Sequence, residues 1–200
     1  MAGHPVHVLA LATALSFGCA TLPAMADQPP MAPTRPVSVT YRLNGGAAKG
    51  PEKIAVTYDQ DAKRVRLEFY RFVGSPEPIS TLIFDKPADR VTTLLDARKL
   101  YAQRDTAGLR NPGLFLDPDL TYTRIGEEKF AGLACTNWAV ESPQQAGSAC
   151  VTDDGVVLKA TRGGAKPAEM DAIAIKYGAP PATAFDIPSD YTRAKTVPKP

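Results

Sequence analysis

Histidine is nearly missing from this 200-residue chain: it has two, His4 and His7, and both lie in the first 26 residues. If that segment is removed, no histidine remains. A Ser-His-Asp or Cys-His catalytic arrangement is then impossible, and a metal site would lack its commonest ligand. Cysteine is almost as scarce, with Cys19, Cys135 and Cys150 the only three, and Trp138 is the single tryptophan. An excess of one charge is lacking too: 23 basic residues stand against 21 acidic ones, with the signs interspersed. Nucleic-acid partners are therefore not expected, because their proteins gather Lys and Arg on one face or run. Neither a Gly-x-x-x-x-Gly-Lys phosphate loop nor a Gly-x-Gly-x-x-Gly dinucleotide turn occurs; Gly45-Gly46 and Gly163-Gly164 are isolated turn pairs. No cofactor is expected.

The longest apolar stretch runs from Val8 to Ala20 and is followed by the small-x-small ending Ala24-Met25-Ala26. It is shorter than the ~20 residues of a membrane-spanning helix, and it reads as a cleavable export signal over residues 1–26, with Asp27 as the new N-terminus. No Lys or Arg precedes it, so the usual positive region rests on the terminal amine. Cys19 is a poor lipidation site because bulky Phe17 stands where lipoprotein signals carry a small residue. The expected location is the periplasm or outside the cell. In such an oxidising compartment two cysteines most often pair. A Cys135–Cys150 bridge would close a loop worth about 3 kcal/mol on chain entropy; a free thiol pair or a metal site is the less favoured alternative.

The 19 prolines and 15 glycines are spread along the chain, as many short strands and turns require. The expected organisation is a leader over 1–26, a Pro- and Ala-rich lead-in without fixed structure over 27–36, one β-sheet domain over 37–191, and a frayed tail over 192–200. Strand periodicity begins at Val37, where Val37, Val39, Tyr41 and Leu43 alternate with polar residues. It recurs at Ile54–Tyr58 and at Arg64–Tyr70, joined by an Asp59–Lys63 turn. That turn lacks the further ligands of a calcium loop and fits Asx-turn chemistry. Ser80–Phe84, Arg90–Leu95 and Leu100–Ala102 continue as a meander. A helix from Thr92 to Gln103 is the alternative, against which the β-branched run Val91-Thr92-Thr93 argues. Residues 105–119 are the weakest for regular structure and are expected to form a loop with a helical turn or two. Tyr122–Ile125 then leads through a turn at Gly126–Gly132 into Cys135–Val140, with Trp138 facing opposite to Cys135. Asp153-Asp154-Gly155 marks a tight hairpin turn. Ala172–Tyr177 and Ala184–Pro188 close the core.

Three landmarks carry a resemblance: Gly132-Leu133-Ala134-Cys135 with Trp138; Cys150-Val151-Thr152-Asp153-Asp154-Gly155-Val156-Val157-Leu158; and Phe185-Asp186-Ile187-Pro188-Ser189-Asp190-Tyr191. In this order they resemble an uncharacterised family of exported, periplasmic bacterial proteins that is similar to the LolA and LolB lipoprotein-carrier half-barrels. The resemblance implies a mainly β (β-rich α+β) fold: a single curved antiparallel sheet with a few short helices on its concave side, the arrangement that holds acyl chains in true carriers. On that basis the expectation is a non-enzymatic exported protein that binds a lipid or other apolar ligand in the hollow of the sheet. The alternative is a structural or interaction module of the cell envelope with a filled core and an envelope protein as partner. Trp138, Tyr41, Phe69, Tyr101 and Phe115 are the candidate ligand-binding residues, although large aromatics are core residues first. Paired carboxylates at Glu127-Glu128, Asp153-Asp154 and Asp117/Asp119 lie in apparent turns, where solvated charge is their ordinary role; no catalytic residue and no metal ligand is assigned.

Overall fold

The computed structural model describes residues 27–45, 50–106, 116–142, 145–164 and 167–194. The leader and Phe115 lie outside the described residues. Twelve strands form one curved, unclosed sheet. In chain order they are β1 (Val37–Gly45), β2 (Lys53–Asp59), β3 (Arg64–Tyr70), β4 (Ser80–Asp85), β5 (Arg90–Leu95), β6 (Leu100–Asp105), β7 (Thr121–Phe130), β8 (Leu133–Ser142), β9 (Gln145–Val151), β10 (Val157–Arg162), β11 (Ala168–Tyr177) and β12 (Thr192–Arg193). Two antiparallel meanders, β1–β6 and β7–β11, are joined where β1 pairs with β11, and β12 adds a short parallel strand beside β6. Among the described residues the helical part is two single turns of 3-10 helix, Asp96–Arg98 and Ala182–Phe185.

The period-2 pattern places the core directly. Val37, Val39 and Tyr41 of β1 meet Ile54 and Val56 of β2 and Leu67 of β3, and the cluster extends to Cys135, Cys150, Val156 and Leu158. Tyr41 is buried among them, and its hydroxyl donates to the Val157 carbonyl at 2.9 Å, which satisfies its one polar atom. Burial pushes that phenol well above its ordinary pKa. A second cluster joins Trp138 to Leu116, Tyr122, Ala149, Val151 and Val157.

Three bulges bend the sheet, each adding one residue to a strand. Ile173 is the extra residue between the Thr40–Ala174 and Tyr41–Ala172 pairs, and Ile125 the extra one between Arg124–Trp138 and Gly126–Asn137. Both are turned out to solvent. At the third, Leu158 stands between the Val157–Val151 and Lys159–Cys150 pairs and is fully buried. The bulge at Ile125 corrects the expected turn at Gly126–Gly132. Strand β7 continues to Phe130 because the bulge absorbs Gly126 within the ladder, and the turn shrinks to Ala131-Gly132 with both residues at positive φ.

The segment from Asp27 to Pro36, expected to lack fixed structure, lies against the β9–β10 hairpin. Pro29 and Pro33 are buried and Met31 packs on the second cluster. Thr34 N–H donates to the Asp154 carbonyl at 2.9 Å, and Arg35 pairs with the Asp154 carboxylate at 2.7 Å while its guanidinium covers the Tyr177 ring. Gly155 is what admits the segment: its φ is +86°, and a Cβ there would sit 2.2 Å from the Ala32 carbonyl oxygen. The stretch is Pro- and Ala-rich as read, but tertiary partners hold it.

The C-terminal segment likewise returns to the sheet. Arg66 Nη1 donates to the Ala184 carbonyl at 3.0 Å, and the Tyr191 hydroxyl donates to Asp96 at 2.7 Å. Thr192 and Ala194 N–H groups then donate to Lys99 and Tyr101 carbonyls. Thr81 and Leu94, cross-strand neighbours on the face that Arg66 shares, are fully buried. The expected frayed tail is thus paired as far as Ala194, and residues 195–200 lie outside the described residues. Among the described residues no helix is long and apolar enough to cross a membrane.

Candidate functional site

A cavity of about 540 Å³ opens on the sheet where β1, β11, β10 and β9 lie side by side. Two consecutive rows of the ladder make its floor. The first aligns Leu43, Met170, Ala160 and Ala149; the second, two residues along each strand, aligns Gly45, Ala168, Arg162 and Gly147. Alanine and glycine at five of these eight positions leave room that larger side chains would fill. Two of the glycines are also required by backbone approach, because a Cβ at Gly45 or Gly147 would lie 2.3 Å from a neighbouring carbonyl oxygen. Leu116, Leu120 and Tyr122, together with Val140 of β8 and Pro51, complete an apolar wall. Tyr122 is held by donating its hydroxyl to the Asp117 carbonyl at 2.9 Å, and burial raises its pKa.

Trp138 packs directly behind this wall: Leu116, Tyr122 and Ala149 belong to its cluster and also line the cavity. Its indole is buried, and among the described residues its Nε1–H has no hydrogen-bond partner. The ladder sets Trp138 opposite Ala149 and Asn137 opposite Cys150, so Trp138 and the disulfide occupy opposite faces of β8 and β9. Cys135 and Cys150 are bonded, with Cα atoms 5.5 Å apart. The other candidate aromatics are distributed. Tyr41 and Phe69 belong to the main cluster, while Tyr101 lies half-buried on β6, where its carbonyl receives the Ala194 N–H. The four described candidates are therefore not brought together, and Phe115 lies outside the described residues. What sequence reasoning missed is the pair of small-residue rows; alanine and glycine carry no chemical label, and only the register aligns them.

Each carboxylate pair has at least one member held by a structural partner. Glu127 binds Arg124 at 2.7 Å, Glu128 accepts from Asn137 at 2.7 Å, and Asp117 accepts from the Asp119 N–H at 3.0 Å in an Asx turn. Burial works to raise the pKa of Asp154, but bonds from Thr152, Arg35 and Tyr177 outweigh it and the net shift is downward. Glu128 also lies close to both cysteine sulfurs. Because those sulfurs are bonded to each other, the trio offers no thiolate pair to a metal.

The curved, unclosed, mainly antiparallel sheet is consistent with a LolA-like half-barrel fold. Within it, the chain belongs to the family described as Domain of unknown function (DUF4412), whose model matches residues 47–161. No curated protein matches the chain. Among solved structures, an uncharacterized conserved protein from Thermus thermophilus is similar at a TM-score of 0.58 and 15% identity, over 80% of this chain and 90% of that one. A chain of the Pseudomonas aeruginosa MucA/MucB complex is similar at a TM-score of 0.52 and 15% identity, over 82% of this chain and 61% of that one. Mycobacterium tuberculosis lipoprotein LppX reaches a TM-score of 0.44 at 13% identity, over 70% and 85% of the two chains. At 15% identity the likeness to the first two is one of fold.

Proposed function

We propose that this is an exported, periplasmic protein that binds an apolar ligand, a lipid or acyl chain, in the hollow of its sheet, and that it works as a binding protein and not as an enzyme. The observation that carries the reading is the cavity itself. It is within the ~300–1,000 Å³ of small-ligand sites and mostly apolar, with Asn44, Asp117, Ser148, Thr161, Arg162 and Glu169 as its polar lining. Export is supported by the leader-like first 26 residues and by a buried disulfide, which an oxidising compartment preserves. The non-enzymatic reading is supported by the lack of histidine from residue 27 onward and by the structural partners of the paired carboxylates.

Native mass spectrometry of protein purified from its own envelope tests this reading, together with displacement of a fluorescent fatty acid. Bound lipid and saturable displacement are expected, and both are expected to be lost in Ala160→Phe, which fills the floor of the hollow. Absence of lipid and of probe binding in the wild-type protein overturns the reading. A second reading, an interaction module of the envelope, draws on exposed Phe72, Val73 and Ile79 in the β3–β4 connection, an apolar protrusion outside the cavity.

A further inference from the structure

The rim of the hollow carries a cation, Arg162, that the ion pairs of the described residues do not use. Arg162 follows Ala160 by two residues on β10 and so projects from the same face of the sheet, at the end of the cavity floor. Its register neighbours there, Gly147, Ala168 and Gly45, have nothing longer than a methyl group to set against it. Among the described residues it forms no ion pair. Of the two carboxylates lining the cavity, Glu169 is paired with Lys159 at 3.0 Å and Asp117 accepts from the Asp119 N–H at 3.0 Å; neither forms an ion pair with Arg162. An exposed guanidinium at the mouth of an apolar hollow lays its stem along the apolar wall and keeps its head in water, where it meets an anionic head group in bidentate geometry. The volume, about 540 Å³, is room for one acyl chain and its head.

Building on the ligand reading above, we infer that the hollow takes a single-chain amphiphile with an anionic head, and that Arg162 is the residue that selects the charge. A carboxylate head and a monoacyl phosphate head share this chemistry. The neutral counterpart of the same chain gains only the apolar wall and binds more weakly.

The test uses the chain from residue 27 with its disulfide formed and measures binding of cis-parinaric acid and of its methyl ester by fluorescence. The acid is expected to bind about tenfold more tightly than the ester, the scale of one charge-assisted contact. Arg162→Gln is expected to remove that preference, so that acid and ester bind alike. Arg42→Gln, a charge change on the other face of β1, is expected to leave both affinities as they are. Oleate and monoacyl phosphatidylglycerol are expected to displace the probe, and displacement by either alone identifies the head. Diacyl phosphatidylglycerol is expected not to displace it; displacement as effective as that by oleate overturns the single-chain assignment. Equal affinity for acid and ester, or an unchanged preference in Arg162→Gln, overturns the role of Arg162 while the ligand reading stands. If neither probe binds, the ligand reading falls and this inference falls with it.

Discussion

Replacing Cys135 and Cys150 by alanine tests the architecture most sharply, because the bridge and the cavity lie on opposite faces of the same two strands. The bridge joins residues 15 apart in sequence. Chain entropy assigns a closed loop of that length about 3 kcal/mol at 25 °C, of which roughly 2.4 come from the loop-length term and roughly 0.6 from the constant. For a domain of this size 1 kcal/mol moves the melting temperature by about 2–4 °C, so a fall of roughly 6–12 °C is expected. Both sulfurs are buried in the main cluster, so the small voids left by alanine add to this figure. Either single substitution already breaks the bridge, and each is expected to cost nearly as much as the pair. Urea unfolding of wild-type, single and double variants, with and without dithiothreitol, checks the magnitude. The reduced chain should also give a larger m-value, since its unfolded state exposes more surface. Additive losses in the double variant, or a wild-type midpoint indifferent to reductant, would refute the entropic account. Ligand affinity should be unchanged, because the disulfide faces away from Ala149 and Trp138.

Trp138→Phe removes the unpartnered indole N–H and keeps most of the packing; it is expected to change stability by under about 1 kcal/mol, whereas Trp138→Ala should cost about 3–5 kcal/mol by chemical denaturation. Asp154 has its pKa held down by Thr152, Arg35 and Tyr177 against the pull of burial, so its stabilising contribution is full above the ordinary carboxylate value of 3.8 and is lost as pH falls through its own lower one. Melting temperatures of wild type and Asp154→Asn should accordingly differ at neutral pH and converge in acid; a constant gap down to the lowest pH would sink the assignment. Tyr191 has its phenol pushed up to about 12 by burial and by the bond to Asp96. Tyr191→Phe is expected to cost about 1 kcal/mol and to speed amide exchange of Thr192 and Ala194, which pair with β6.

Much of the fold is legible in local sequence. Alternation at Val37–Leu43, Ile54–Tyr58 and Arg64–Tyr70 marks strands because a period of two turns every second side chain to one face. Asp59 holds the expected turn through its side chain, its carboxylate accepting from the Ala62 N–H at 3.2 Å. Asp153-Asp154-Gly155 turns the hairpin, with Gly155 at the positive φ its position needs. Thr92 to Gln103 is strand, a single 3-10 turn and strand again, as its β-branched run implies. Even the opposition of Trp138 to Cys135 follows from counting residues.

What sequence could not reveal depends on contacts between distant parts of the chain. The order of Asp27–Pro36 comes from the hairpin at Thr152–Val156, more than a hundred residues away, and no local pattern encodes it. Bulges at Ile125, Leu158 and Ile173 are decided by which partner strand sets the register; two turn an isoleucine outward and the third sends a leucine inward. The hollow is the extreme case. Alone, Leu43, Ala149, Ala160, Arg162 and Met170 are ordinary strand residues on four strands, and only the pairing β1–β11–β10–β9 aligns their small and apolar side chains in two rows with the Arg162 guanidinium at the edge. The strands are legible in the sequence because pleating is local; the cavity is not, because a void belongs to the space between strands and to no residue in particular.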